Sequence, residues 1–149
     1  MHFAQIFSLL FSVQLTKMFV MPRQPSSIPT EVELEILQVL WTRGPSTVRQ
    51  VHDVLRQQKD TGYSTTLKMI QVMTEKCLLL KDESQKPQVF RPAKPQEQTQ
   101  LQLVDDLIQK GFAGSAMKLV LRAITAKRIT PDELAQIKKL LEQSKGGGR

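Results

Sequence analysis

The chain has 149 residues, enough for one ordinary domain or for a small domain joined to an assembly module. Aromatic residues make up 5% of it, which excludes a large aromatic-rich core, and its net charge of +7 suits a polyanionic partner without choosing among DNA, RNA and an acidic membrane. Cys77 is the single cysteine, so one chain can form neither an internal disulfide nor a cysteine-based zinc or copper cluster, and a reducing cytoplasm fits.

The first twenty residues hold a short apolar stretch, Phe3, Ile6, Phe7, Leu9, Leu10, Phe11, Val13 and Leu15. Gln and Ser interrupt it, it is too short to span a bilayer, and only His2 precedes it where a secretory signal needs basic residues. Residues 1–29 therefore read as a leader, with translation starting at Met21 and Pro22 to Pro29 running disordered into the first domain. An accessory amphipathic extension is the alternative, and no stable membrane insertion is expected.

From Thr30 the helix signals become regular. Thr30 and Glu33 form a capping box, in which each side chain satisfies a backbone donor at the helix start. Leu34, Leu37, Leu40 and Trp41 follow at helical spacing until Gly44-Pro45 ends the run. Ser46 can cap a second helix reaching about Gln58, with Val48, Val51 and Leu55 on its inner face. Thr61-Gly62 breaks the chain again, and Ser64 can cap a third helix. Its inner face is Thr66, Met69, Ile70, Met73 and Cys77, and its outer face is Thr65, Lys68, Gln71, Val72 and Glu75. Leu78-Leu79-Leu80 and Gln88-Val89-Phe90-Arg91 then suit two strands around a polar tip from Asp82 to Pro87.

Three helices followed by a small hairpin is the order of a winged helix-turn-helix, predicted over residues 30–95. A helix laid in the major groove reads base edges with short hydroxyls, amides and cations, and Thr65, Lys68 and Gln71 supply those types on one face. Around them Ser46, Arg49, Tyr63 and Ser64 stand at the starts of the two helices, and Lys86 and Arg91 lie in the wing for phosphates. Asp82 and Glu83 oppose that role for the wing unless they point away. Ten basic residues against eight acidic ones from Thr30 to Pro95 is a modest excess, so a winged-helix adaptor that binds protein remains the competing reading.

Beyond Pro95 the chain has no strand signals, and residues 96–144 read as a helical module. Three amphipathic stretches carry Leu101, Val104 and Ile108; Leu119, Val120 and Ile124; and Leu134, Ile137 and Leu141. The last opens with Thr130, Pro131 and Glu133, another capping box with proline in the first turn. Three short helices cannot bury their apolar faces well alone, which predicts a symmetric homodimer. Two reading helices would then meet a palindromic double-stranded operator about one helical turn, roughly 34 Å, apart. Residues 145–149 read as a flexible tail. The chain has no nucleophile–base pair, no phosphate-cradling glycine loop and no metal-ligand spacing, so no enzyme activity, metal or cofactor is expected. Asp105 and Asp106 are neighbours on a helix and point about 100° apart.

These residues resemble the BlaI/MecI/CopY group of penicillinase-type repressors from about Ile28 to Gln143. The resemblance rests on Pro29-Thr30-Glu31-Val32-Glu33-Leu34 leading to Val39-Leu40-Trp41, on Gly44-Pro45-Ser46-Thr47-Val48-Arg49-Gln50-Val51, and on Tyr63-Ser64-Thr65-Thr66 leading to Met73-Thr74-Glu75-Lys76. Val89-Phe90-Arg91-Pro92 and Phe112-Ala113-Gly114-Ser115 extend it. It implies a homodimeric repressor with a winged helix on a palindromic operator, DNA-reading residues Ser64, Thr65 and Lys68, and a helical dimerisation module. In the antibiotic-responsive members it further implies a membrane sensor protease whose action cuts that module. Three departures stand out. The Asn-Phe pair cut in that branch is matched here by Arg122-Ala123, the C-terminal cysteine cluster of the copper branch is absent, and Cys77 replaces a usual glycine, which suggests a different turn into the wing.

Overall fold

The structure, a computed structural model, describes residues 28–146. The apolar leader, the Met21 start and the last three residues of the tail lie outside the described residues. The described residues are mostly helical with one two-stranded sheet, and the chain divides into two compact units, the division falling after Gln96.

The first unit begins with α1, Glu31–Arg43, held at its start by the predicted box: Glu33 N–H donates to Thr30 Oγ1 at 3.3 Å and Thr30 N–H to Glu33 Oε2 at 3.0 Å. Glu33 does more than the sequence indicated, because its other oxygen accepts from Lys76 Nζ at 2.6 Å while the residue itself is 2% exposed. The box that starts the first helix is thus tied to the end of the third. Gly44 stops α1 at φ 89° and ψ −173°, a conformation essentially reserved for glycine.

The second helix, α2, spans Val48–Gln58, and its cap corrects the sequence reading. Thr47, not Ser46, accepts from Gln50 N–H, and Gln50 returns the bond. Ser46 is drawn inward because its backbone forms an isolated antiparallel bridge with Phe90, N–H to O at 3.0 Å and 2.8 Å in the two directions. Its hydroxyl donates to Gly44 O at 2.8 Å and its exposure is 0%. A residue fixed as a strand partner cannot also cap the helix beside it.

The third helix, α3, spans Tyr63–Glu75 with Gly62 at its N-cap and no side chain capping it, so Ser64 lies inside the first turn rather than at the cap. Thr66, Ile70 and Met73 are buried and Met69 packs partly buried against the core, as expected. Cys77 is not part of that face. It is exposed, with φ 61°. Leu78 N–H reaches back to Met73 O at 2.9 Å and Cys77 N–H to Thr74 O at 3.1 Å, the paired bonds of a Schellman stop. That stop needs a left-handed residue where Cys77 stands, which is the conformation glycine adopts most easily, so the turn keeps a glycine geometry with a cysteine in it.

The hairpin pairs β1, Leu79–Asp82, with β2, Val89–Pro92, in the register Leu79 with Pro92, Leu80 with Arg91, Lys81 with Phe90 and Asp82 with Val89. The strands sit a residue or two further along than the sequence indicated, because the Schellman stop consumes Leu78. α1 packs on α2, α3 and β2, α2 packs on α3, and α3 packs on β1. Among the described residues every buried hydrophobic one lies between Ile36 and Phe90, with Val51, Ile70 and Met73 at 0% exposure. Such burial is worth about 1.5–3 kcal/mol per large side chain, which makes this unit a finished core.

The second unit consists of α4, Gln96–Gly111, α5, Ala116–Thr125, and α6, Pro131–Gly146. Ser115 caps α5 by accepting from Lys118 N–H, and the Thr130–Glu133 box opens α6. The last helix runs through Lys145 and Gly146, which the sequence reading had placed in the tail. No residue of α5 or α6 is buried, and Thr99 is the one buried residue of α4. Of the apolar positions expected at a dimer seam, Leu101, Val104, Val120, Ile124 and Leu141 are exposed, while Ile108, Leu119, Leu134 and Ile137 are half-buried. Leu107, Met117, Leu121 and Leu140 are also exposed, between 50% and 70%.

Candidate nucleic-acid interface

The outer face of α3 forms from the helical period itself. With Thr66, Ile70 and Met73 turned into the core, Ser64, Thr65, Lys68 and Gln71 fall on the opposite side and all are exposed. Thr65, Lys68 and Gln71 are three residues apart and make one stripe, and Ser64 stands four residues before Lys68 at its start. The bare N-cap at Gly62 leaves the first-turn N–H groups without a side-chain acceptor, so the positive end of the helix dipole opens at the same end of the stripe.

Tyr63 links this stripe to α2. The Arg49 guanidinium carbon lies 5.4 Å from the centroid of its ring, within range of a cation–π contact. His52 meets the same ring edge-on, with centroids 5.6 Å apart and an interplanar angle of 84°. His52 is 5% exposed, and its Nδ1 lies 3.4 Å from Thr66 Oγ1, which donates in turn to Gly62 O. A buried histidine thus braces a surface tyrosine that holds an arginine. The sequence points to Arg49 and Tyr63 singly, and the link through His52 depends on the packing of α2 against α3.

Between the first turn of α2, the side of α3 and the wing runs a groove whose lining includes Thr47, Arg49, Tyr63, Gln71, Lys81 and Lys86. Directly opposed residues of a hairpin share a face, so Lys81 lies on the same face as buried Phe90, while Leu80 and Arg91 lie on the other. The wing places Lys86 in the groove. Arg91 does not join it, because the register turns it to the far face with Asp82. Ser46 also leaves the surface set, since both its backbone and its hydroxyl are occupied and no part of it is exposed.

The two wing carboxylates that oppose a phosphate-facing role are both engaged locally. Asp82 accepts from the Ser84 hydroxyl at 2.6 Å and from its N–H at 2.9 Å, and these bonds, the hydroxyl foremost, hold its carboxyl below the usual carboxylate range. Glu83 pairs with Lys81 Nζ at 3.0 Å.

This arrangement of helix, turn, helix and wing is accompanied by a match to a known family. The penicillinase repressor model matches residues 29–143. The chain belongs to the penicillinase repressor family. It is 27% identical over 119 residues to the transcriptional regulator BlaI of Mycobacterium tuberculosis strain CDC 1551, covering 78% of this chain and 85% of that protein. The BlaI protein of strain H37Rv matches equally. Members of this family are transcriptional repressors, not enzymes. The Arg122-Ala123 pair lies within α5, with Arg122 exposed and Ala123 half-buried. Among the described residues no group of three or more His, Cys, Asp or Glu side chains could hold a metal ion, and no helix is long and apolar enough to cross a membrane.

Proposed function

We propose that this repressor acts as a cytoplasmic homodimer on a palindromic DNA operator, reading bases with Thr65, Lys68 and Gln71 and binding phosphates with Arg49, Tyr63, Ser64 and Lys86. The observation that carries the proposal is the exposed stripe on α3, which puts hydroxyl, cation and amide groups on the second helix of a helix-turn-helix with a basic groove at its side. The exposed apolar faces of α4 to α6 support dimerisation, since they lack a partner within their own unit. Each half alone binds weakly, and joining two halves raises affinity by about 10²- to 10⁴-fold through effective concentration. Any signal that separates the dimer would then lift repression, including proteolysis by a membrane sensor system. Cleavage at Arg122-Ala123 would cut α5 in its last turn.

The test is a mobility-shift titration of the full chain on duplex DNA from upstream of its own coding sequence, beside a scrambled duplex, with a Lys68→Ala variant in parallel. Loss of about 1–3 kcal/mol on the upstream duplex and less on the scrambled one identifies Lys68 as a base contact. Equal losses on both would make it a phosphate contact. Absence of binding to either duplex at low salt by a folded dimer would favour the protein-adaptor reading.

A further inference from the structure

Lys81 is the cation that hairpin register selects for the groove, yet in the free protein it is occupied. It stands on the groove face of β1, opposite Phe90, with its amine 3.0 Å from Glu83 Oε1. The two side chains are 34% and 70% exposed, so the pair lies in water and is easily broken. Around it the groove carries Arg49, Lys86 and the amides of Gln71 and Gln88, with Glu75 as the acidic residue of the lining. The balance is cationic, and donors converge from three separate elements, which is the chemistry of a site for a sugar–phosphate strand.

We infer that Lys81 is a phosphate contact of the wing and that Glu83 is its built-in competitor, a carboxylate occupying the amine until a DNA phosphate replaces it. The inference rests on the DNA-binding reading above and adds two residues to it. Asp82 does not share the role, because its carboxylate is held by Ser84 on the opposite face of the hairpin. Glu83 sets affinity for any duplex, since a phosphate carries no sequence information.

A double-mutant cycle on the full chain tests this, with a scrambled 30-base-pair duplex as probe and fluorescence anisotropy across a salt series. Lys81→Gln should weaken binding and flatten the slope of log K against log salt by about 0.9, the contribution of one phosphate contact. Glu83→Gln should tighten binding by up to about fivefold, the range of an exposed ion pair, and this gain should vanish in the Lys81→Gln background. A gain that persists without Lys81 would show that Glu83 acts by general repulsion, and an unchanged slope in Lys81→Gln would show that Lys81 touches no phosphate. Either result overturns the inference while leaving DNA binding intact. Wild-type protein that binds no duplex would remove the underlying reading as well.

Discussion

The two units of this chain use similar helices to different ends. In α1 to β2 the apolar residues converge inward: Ile36, Leu40, Ile70, Met73 and Leu79 are at or below 2% exposure, and the one buried acid, Glu33, has a partner in Lys76. In α5 and α6 the caps are as well formed, yet no side chain is buried, and Met117 and Leu140 stand 70% and 64% exposed. Capping and periodicity therefore fix where helices start and stop, but they do not decide whether a unit closes on itself. The winged unit has a hairpin across its helices to complete its core, whereas the second unit has three helices and leaves Met117, Leu121 and Leu140 exposed.

The largest expected effect tests the open side of this contrast. Val120→Glu with Ile124→Glu places charges at positions exposed within one chain, so the helices should persist by circular dichroism while affinity for DNA falls about 10²- to 10⁴-fold. Sedimentation of that variant as a dimer would remove α5 from the interface. On the closed side, Glu33→Gln leaves a hydrogen-bond acceptor for Thr30 but strips the charge that faces Lys76. Because Lys76 keeps 28% exposure and can reach water, the loss should be about 1–3 kcal/mol, read as a lower urea midpoint. A wild-type midpoint would show that the pair adds nothing to the core.

A smaller change should run in the opposite direction. Cys77 holds a left-handed backbone that costs a non-glycine residue about 1–2 kcal/mol, against about 0.5–1 kcal/mol of extra entropy lost by glycine on folding. Cys77→Gly should therefore raise stability by about 0.5–1 kcal/mol, and a lower melting temperature would contradict the Schellman assignment. The smallest effect concerns the wing tip. The folded pKa of Asp82 is depressed, so its bonds to Ser84 are fully present above the ordinary carboxylate range and are lost only as pH falls through the lower folded value. The Ser84 amide resonance should titrate with a midpoint below the ordinary carboxylate range, and a midpoint within or above that range would show that the turn does not hold the carboxylate.

Much of the fold was legible because its signals are local. Thr30 with Glu33 and Thr130 with Glu133 are separated by three residues, and both boxes form as the spacing indicates. The stripe of Thr65, Lys68 and Gln71 follows from the helical period once the buried face is known. What was not legible depends on pairing between distant segments. Ser46 and Thr47 are equally good caps in sequence, and the bridge from Ser46 to Phe90 decides between them. Lys81 and Arg91 are equally basic, and one-residue differences in register put them on opposite faces. The support of Tyr63 by His52 likewise exists only when two helices cross. Cys77 is a separate case, since an inward face at helical spacing presumes the helix continues, and it had already stopped.

Stoichiometric titration decides whether the winged unit needs the helical unit to hold an operator. The full chain would be added to labelled upstream duplex, with scrambled duplex as control, at several salt concentrations. If the helical unit joins two chains, saturation comes at two chains per duplex, with preference for the upstream sequence and a steep loss of affinity as salt rises. Saturation at one chain per duplex with undiminished affinity would contradict it.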